Sequence, residues 1–290
     1  MRIGTRRSAL ALAQADLIAR MLGGCEIVPI LTSGDRGEGI EDKSRWVGEL
    51  ELALARGEVD IAVHSAKDVP GELAAGLVLA GTPARADPED VLCGAASLAQ
   101  LDSGARVGTS SIRRTAQLRA ARADLEIVPI RGNVDTRLEK LARGEFDAIV
   151  LARAGLQRLG REDALGAVLD PAQFVPAPGQ GALALELRDG DTRAHEALAA
   201  IVDADASSCL RAERALALAL DADCHTPLGA HATLRDGELQ LRGWLGLDGE
   251  AGWATDQLSA GAADAEALGR ELGARLALAR TAVEQTAGPA

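Results

Sequence analysis

The pentapeptide Glu26-Ile27-Val28-Pro29-Ile30 returns letter for letter as Glu126-Ile127-Val128-Pro129-Ile130, and this repetition constrains the fold more than any other feature of the chain. One five-residue match carries little weight, but two further pairs keep the same order. Ile3-Gly4-Thr5 precedes the first copy and Val107-Gly108-Thr109 the second. Leu54-Ala55-Arg56-Gly57-Glu58-Val59-Asp60-Ile61-Ala62-Val63 follows the first copy, and Leu141-Ala142-Arg143-Gly144-Glu145-Phe146-Asp147-Ala148-Ile149-Val150 follows the second. Collinear self-similarity of this kind means two related units. Each unit alternates short β-branched runs with amphipathic Ala/Leu/Arg segments, in the order strand, helix, strand, helix, strand. That alternation builds a mainly parallel sheet.

A chain of 290 residues is too long for one ordinary core and suits two or three domains. After the second unit, Phe174-Val175-Pro176-Ala177-Pro178-Gly179-Gln180-Gly181 reads as a crossing or hinge segment. Ala182–Leu187 alternates like a strand and is expected to return to the first sheet. From about Asp203 the pattern changes. A helix through Leu220, a loop over Asp221–Pro227, strands near Leu228–Leu234 and Leu239–Leu247, and a final helix over Ala263–Val283 describe a third, smaller α/β unit.

In parallel sheets, ligands bind beyond the carboxyl ends of the strands, where helix amino termini present free N–H groups. The segments at those positions are Thr5-Arg6-Arg7-Ser8, His64-Ser65-Ala66-Lys67-Asp68-Val69-Pro70, Thr109-Ser110-Ser111-Ile112-Arg113-Arg114 and Arg131-Gly132-Asn133-Val134-Asp135-Thr136-Arg137. Arginine forks match carboxylates or phosphates in bidentate geometry, and hydroxyl groups complete such a shell. Taken singly, Ser8, Ser110, Asn133 and Thr136 equally suit helix caps, and Asp68 equally suits an ion pair with Lys67 or an arginine. As a set they favour an anion-binding cleft between the units. Arg113 and Arg114 lie near a helix start, where positive charge opposes the macrodipole, so an anion is expected beside them. Asp68, a carboxylate among cations, could stabilise a cation developing on a substrate.

That anion is small. The net charge of −12 disfavours nucleic acid at long range, and an aromatic content of 2% leaves few platforms for stacking single strands. Met1–Leu22 lacks the continuous apolar core of an export signal, and charges interrupt every Ala/Leu-rich run, so a cytoplasmic chain with no membrane partner is expected. The 4 cysteines, Cys25, Cys93, Cys209 and Cys224, are widely spaced, and the 4 histidines show no ligand spacing with them beyond the adjacent Cys224-His225 pair. Disulfides and a metal site are not expected.

The chain resembles the porphobilinogen deaminase (hydroxymethylbilane synthase) family over essentially its whole length. The resemblance rests on the strand-end segments above, with Leu156-Gln157-Arg158-Leu159-Gly160, Pro178-Gly179-Gln180-Gly181-Ala182, Ala212-Glu213-Arg214-Ala215 and Cys224-His225-Thr226-Pro227-Leu228-Gly229. It implies an α/β fold of two duplicated periplasmic-binding-protein-like domains around a cleft: residues 1–83 with 180–200 form one, residues 84–179 the other. Residues 201–290 then form a smaller α/β domain that anchors the cofactor. It also implies a monomeric transferase that joins four porphobilinogens head to tail with loss of ammonia and releases hydroxymethylbilane for porphyrin and haem biosynthesis. The cofactor implied is a dipyrromethane on a thioether to Cys224. Asp68 is the implied catalytic carboxylate, suited to the charge and ring N–H groups of an electron-poor azafulvenium-like pyrrole. Cofactor contacts fall on Lys67, Ser65, Thr109, Ser110, Arg113, Arg114, Arg131 and Gly132. Substrate contacts fall on Arg6, Ser8, Arg137, Arg158, Gln180 and Lys43.

One stretch departs from the family. Between Leu31 and Glu49 the family carries a longer segment with two lysines and an aromatic, whereas here Lys43 matches one lysine and the other is missing. Trp46 stands in the place of the aromatic, either covering the cleft or packing beneath it, and Arg36 or Arg45 is the candidate substitute cation. Two other function classes fit the duplicated architecture alone: a two-lobed anion receptor, and a transferase for phosphorylated substrates. A receptor has no need for a covalent anchor at Cys224 or for Asp68, and the phosphate transferase predicts phosphate-ester turnover and no bound chromophore.

Overall fold

The computed structural model of the chain describes residues 1–36, 44–223, 225–247 and 252–287. The first unit runs β1 (Arg2–Arg6), α1 (Ala9–Met21), β2 (Glu26–Ile30), α2 (Ser33–Arg36), α3 (Ser44–Ala55), β3 (Ile61–Ser65) and β4 (Leu77–Gly81). The second runs β5 (Asp90–Cys93), β6 (Arg106–Gly108), α4 (Ile112–Ala121), β7 (Glu126–Val128), α5 (Val134–Ala142), β8 (Ala148–Ala152), α6 (Arg153–Arg158) and β9 (Ala167–Val168). Then β10 (Leu183–Arg188) and α7 (Thr192–Ala199) lead to α8 (Ala204–Ala219), β11 (Leu228–Arg235), β12 (Glu238–Gly246), β13 (Trp253–Gly261) and α9 (Ala265–Ala287).

The repeated peptides become equivalent strands. One sheet has the order β2-β1-β3-β10-β4 and the other β7-β6-β8-β5-β9. In each, the first three strands are parallel and the fourth is antiparallel to the third. The antiparallel strand always arrives from the other unit: β5 follows the crossing out of the first sheet, and β10 follows the crossing back, joining the first sheet between β3 and β4 as its alternation implied. Pro29 lies in β2 at a sheet edge, where a residue without an N–H leaves no ladder bond unmade.

Burial on both faces explains the apolar strands. Ile3, Ile61, Val63, Leu183 and Leu185 pack with Ile18 of α1 and Leu198 of α7, while Ala62 and Val59 meet Leu50 and Leu54 of α3 on the opposite face. Each buried Leu or Ile contributes about 1.5–3 kcal/mol relative to exposure. In the third unit β11, β12 and β13 form an antiparallel sheet under α8 and α9. The two helices approach closely because Gly269 and Gly273 lack side chains; a Cβ at Gly269 would stand 2.3 Å from the Ala212 carbonyl oxygen. Strand β13 was not anticipated from sequence. It is an edge strand whose alternating positions stay exposed, so Trp253-Ala254-Thr255-Asp256-Gln257 lacks the apolar content that marks a strand.

Candidate active site

The carboxyl ends of β1, β3, β6, β7 and β8 open onto a cleft of about 1040 Å³. Its walls include Arg6 and Ser8, Ser65 and Lys67, Ser110 and Arg114, Arg131, Gly132 and Arg137, and Arg158. A second chamber of about 270 Å³ shares Lys67, Ser110 and Arg114 with the first and adds Asp68, Arg113 and Gln180. Its remaining wall includes Asp223 and Thr226, the neighbours of Cys224. The strand-end groups of both sheets thus meet the loop of the third unit at one place. Cys224 itself and Lys43 lie outside the described residues. That loop is tied by Asp223, whose Oδ1 accepts from the His225 N–H at 2.8 Å and the Thr226 hydroxyl at 2.8 Å.

Several strand-end side chains serve the backbone as well as the cleft. Ser8 caps α1 by accepting from the Ala11 N–H, and Asn133 caps α5 by accepting from the Thr136 N–H. The cap of α4 is Ser111, whereas the Ser110 hydroxyl donates to the Ile130 carbonyl and accepts from the Ile130 N–H. Thr136 lies inside α5 and caps nothing. Thr109 is buried, with its hydroxyl accepting from the Ser111 N–H. Ser65 exchanges hydrogen bonds with the Gln14 amide.

The anion expected beside Arg113 and Arg114 comes from the chain itself. Asp90 at the start of β5 is fully buried; its Oδ2 accepts from Arg113 Nη2 at 2.8 Å and its Oδ1 from Arg114 Nη2 at 2.7 Å. Burial opposes ionisation of Asp90, but the two guanidinium groups overcome it and hold its carboxyl far below the usual range. The dipole penalty at the head of α4 is therefore relieved internally, and these arginines alone do not demand a ligand. Gln180 joins the same network, donating to Asp90 Oδ1 at 2.8 Å and the Pro88 carbonyl at 2.6 Å while accepting from Lys67 Nζ at 3.5 Å. Asp90 escaped notice in the sequence. Its signal was an acidic run, Asp87-Pro88-Glu89-Asp90, directly ahead of an apolar strand.

The remaining cations are less satisfied. Burial, with Arg114 nearby, pulls the Lys67 ammonium down to about 8. Burial also lowers Arg158 to about 10 and lowers Arg137. Among the described residues Arg131, Arg137 and Arg158 make no ion pair, and the Arg158 Nε is buried without a hydrogen-bond partner. Such groups fit a ligand with several carboxylates. Asp68 faces the second chamber and a small recess it shares with Arg6, Ser8, His64 and Trp46.

A buried hub holds the two crossings beneath this site. Glu213 of α8 takes both guanidinium arms of Arg85, at 2.6 and 3.2 Å, and accepts from the Gly179 and Ala232 N–H groups at 2.7 Å each. Arg85 Nε donates to the Gln180 carbonyl. The spacing Cys209, Ala212, Glu213, Leu216 put this carboxylate on the apolar face of its helix, where it had to be paired.

The model for the porphobilinogen deaminase dipyromethane cofactor binding domain matches residues 1–196, and the model for the porphobilinogen deaminase C-terminal domain matches residues 207–277. The chain belongs to the porphobilinogen deaminase family. A porphobilinogen deaminase from Xanthomonas euvesicatoria pv. vesicatoria is 47% identical over 285 residues, covering 94% of each chain. One from Sorangium cellulosum is 46% identical over 291 residues, covering 94% of this chain and 97% of its own. Among solved structures, an ABC-transporter periplasmic substrate-binding protein from Coxiella burnetii is 16% identical with a TM-score of 0.42, over 69% of this chain and 91% of its own. As in this family, the function lies in tetrapyrrole biosynthesis. The thiols of Cys93 and Cys209 are pushed up to about 11 by burial, so neither is suited to react. Among the described residues no helix is long and apolar enough to cross a membrane.

Trp46 lines the cleft, with the Arg6 guanidinium 4.1 Å and the Arg45 guanidinium 4.8 Å from its ring centroid. Arg36 also lines the cleft but is engaged by Glu49 at 3.2 Å. Arg45 lines the same cleft beside Trp46.

Proposed function

We propose that the chain is a transferase that condenses four porphobilinogens head to tail, each losing ammonia, and then lets water release hydroxymethylbilane. The observation that carries this is the shared chamber in which Lys67, Asp68, Ser110 and Arg114 face the loop around Cys224. A dipyrromethane joined by a thioether to Cys224 fits the donor set of the two connected chambers, because Lys67, Arg131, Arg137 and Arg158, which make no ion pair among the described residues, match its acetate and propionate arms. When bound, it would supply the free pyrrole carbon to which the first unit is added, each later unit joining the ring added before it. The chain's own residues do the rest. Lys67, Arg131 and the Arg113–Arg114 pair hold carboxylates on the cofactor side; Arg6, Arg137 and Arg158 hold those of the incoming substrate.

Asp68 supplies fixed negative charge where positive charge grows as the substrate's amine departs, and accepts from ring N–H groups. Asp90 and Gln180 position Arg113, Arg114 and Lys67 from below. The protein acts as a cytoplasmic monomer. Its working domains are residues 1–83 with 180–200, residues 84–179, and residues 201–290. A colour reaction with an aldehyde reagent for pyrroles tests the proposal on purified protein: a positive reaction is expected, and a colourless protein that turns over phosphate esters would replace it with another transferase.

A further inference from the structure

Arg6 already holds a carboxylate and an aromatic ring, and both belong to the chain. Asp35 of α2 accepts from Arg6 Nη2 through Oδ1 and from the Thr32 hydroxyl through Oδ2 at 2.9 Å. Trp46, in the first turn of α3, lies under the same guanidinium with its ring centroid 4.1 Å away. Gly34 makes the close approach possible, since a Cβ there would stand 2.2 Å from the indole. Burial disfavours the Asp35 carboxylate, yet Arg6 and Thr32 hold its pKa below the ordinary value. The fit is incomplete, because Arg6 Nε and Arg45 Nε are both buried without a hydrogen-bond partner. A pyrrole with an acetate arm presents the same pair of groups: a flat π surface for the guanidinium face, and a carboxylate for its edge.

We propose that Asp35 and Trp46 are an internal substitute for the substrate's carboxylate and ring at Arg6, displaced by porphobilinogen, so that they set the affinity and selectivity of this subsite. The proposal rests on Arg6 being a substrate contact. In the empty enzyme the substitute keeps the guanidinium paired and oriented. A ligand displaces it without loss only by replacing both contacts, so a simple carboxylate such as acetate is rejected.

Steady-state kinetics on the cofactor-loaded enzyme test this. Asp35→Asn keeps the side-chain shape and the Thr32 contact but removes the competing charge. Its KM for porphobilinogen should fall about threefold, the scale of a partly exposed ion pair, with kcat little changed, and acetate should become an inhibitor. A purely structural role for Asp35 would raise KM, and an unchanged or raised KM overturns the proposal. Arg6→Ala separates the two claims. A raised KM in Arg6→Ala beside a raised KM in Asp35→Asn removes only the displacement; an unchanged KM in Arg6→Ala removes the substrate role of Arg6 as well. On the parent enzyme, porphobilinogen should change the Trp46 emission, measured as the difference from Trp46→Phe, and a constant difference also overturns the proposal.

Discussion

Asp68, Asp90 and Lys67 lie within one chamber wall and its support, yet their environments assign them different work. Asp68→Ala should lower turnover on the order of 100-fold or more, the scale of losing one preorganised electrostatic partner, while the attached cofactor stays on the chain by mass. Near-normal turnover would remove Asp68 from the chemistry. Asp90→Asn leaves two buried guanidinium groups without a counter-charge and should cost about 3–5 kcal/mol of stability in denaturant titration. The depressed pKa of Asp90 means its contribution is complete above the ordinary carboxylate pKa and drains away as pH falls below it. The parent should therefore lose stability across that acid window more steeply than Asp90→Asn. Lys67 titrates on the other side. Its ammonium is lost as pH rises through about 8, so its hold on carboxylates should weaken there. Lys67→Arg should move the alkaline limb of the kcat/KM profile upward, and an unmoved limb would assign that limb to another group.

Among the elements, the crossings carry the most constraint. Gly181 has φ +85 and a Cβ there would stand 2.3 Å from the Ala86 carbonyl oxygen. Gly181→Ala should cost more than the roughly 1–3 kcal/mol of a strained backbone position, read as a lower melting temperature. The parallel strands, their helices and the return of β10 were legible because duplicated segments carry the same periodicity twice and each strand is buried on both faces. Strand β13 was not, because an exposed edge strand needs little apolar sequence. The arginines of α4 were legible as needing an anion, but its source was not: Asp90 lies 23 residues before Arg113, on β5, and is set in place by the pairing of β5 with β8. Glu213 was visible only as part of a motif, since its three partners, Arg85, Gly179 and Ala232, come from separate segments that no spacing links.

At the scale of the whole molecule, an acidic chain concentrates unneutralised cations where two sheets and a third unit converge. We propose that this convergence holds a dipyrrole on Cys224. The mass of the intact chain tests that most directly. The purified protein should be heavier than its polypeptide by one dipyrromethane, and Cys224→Ser should have the bare polypeptide mass. A parent protein of bare mass that still forms hydroxymethylbilane would contradict the account.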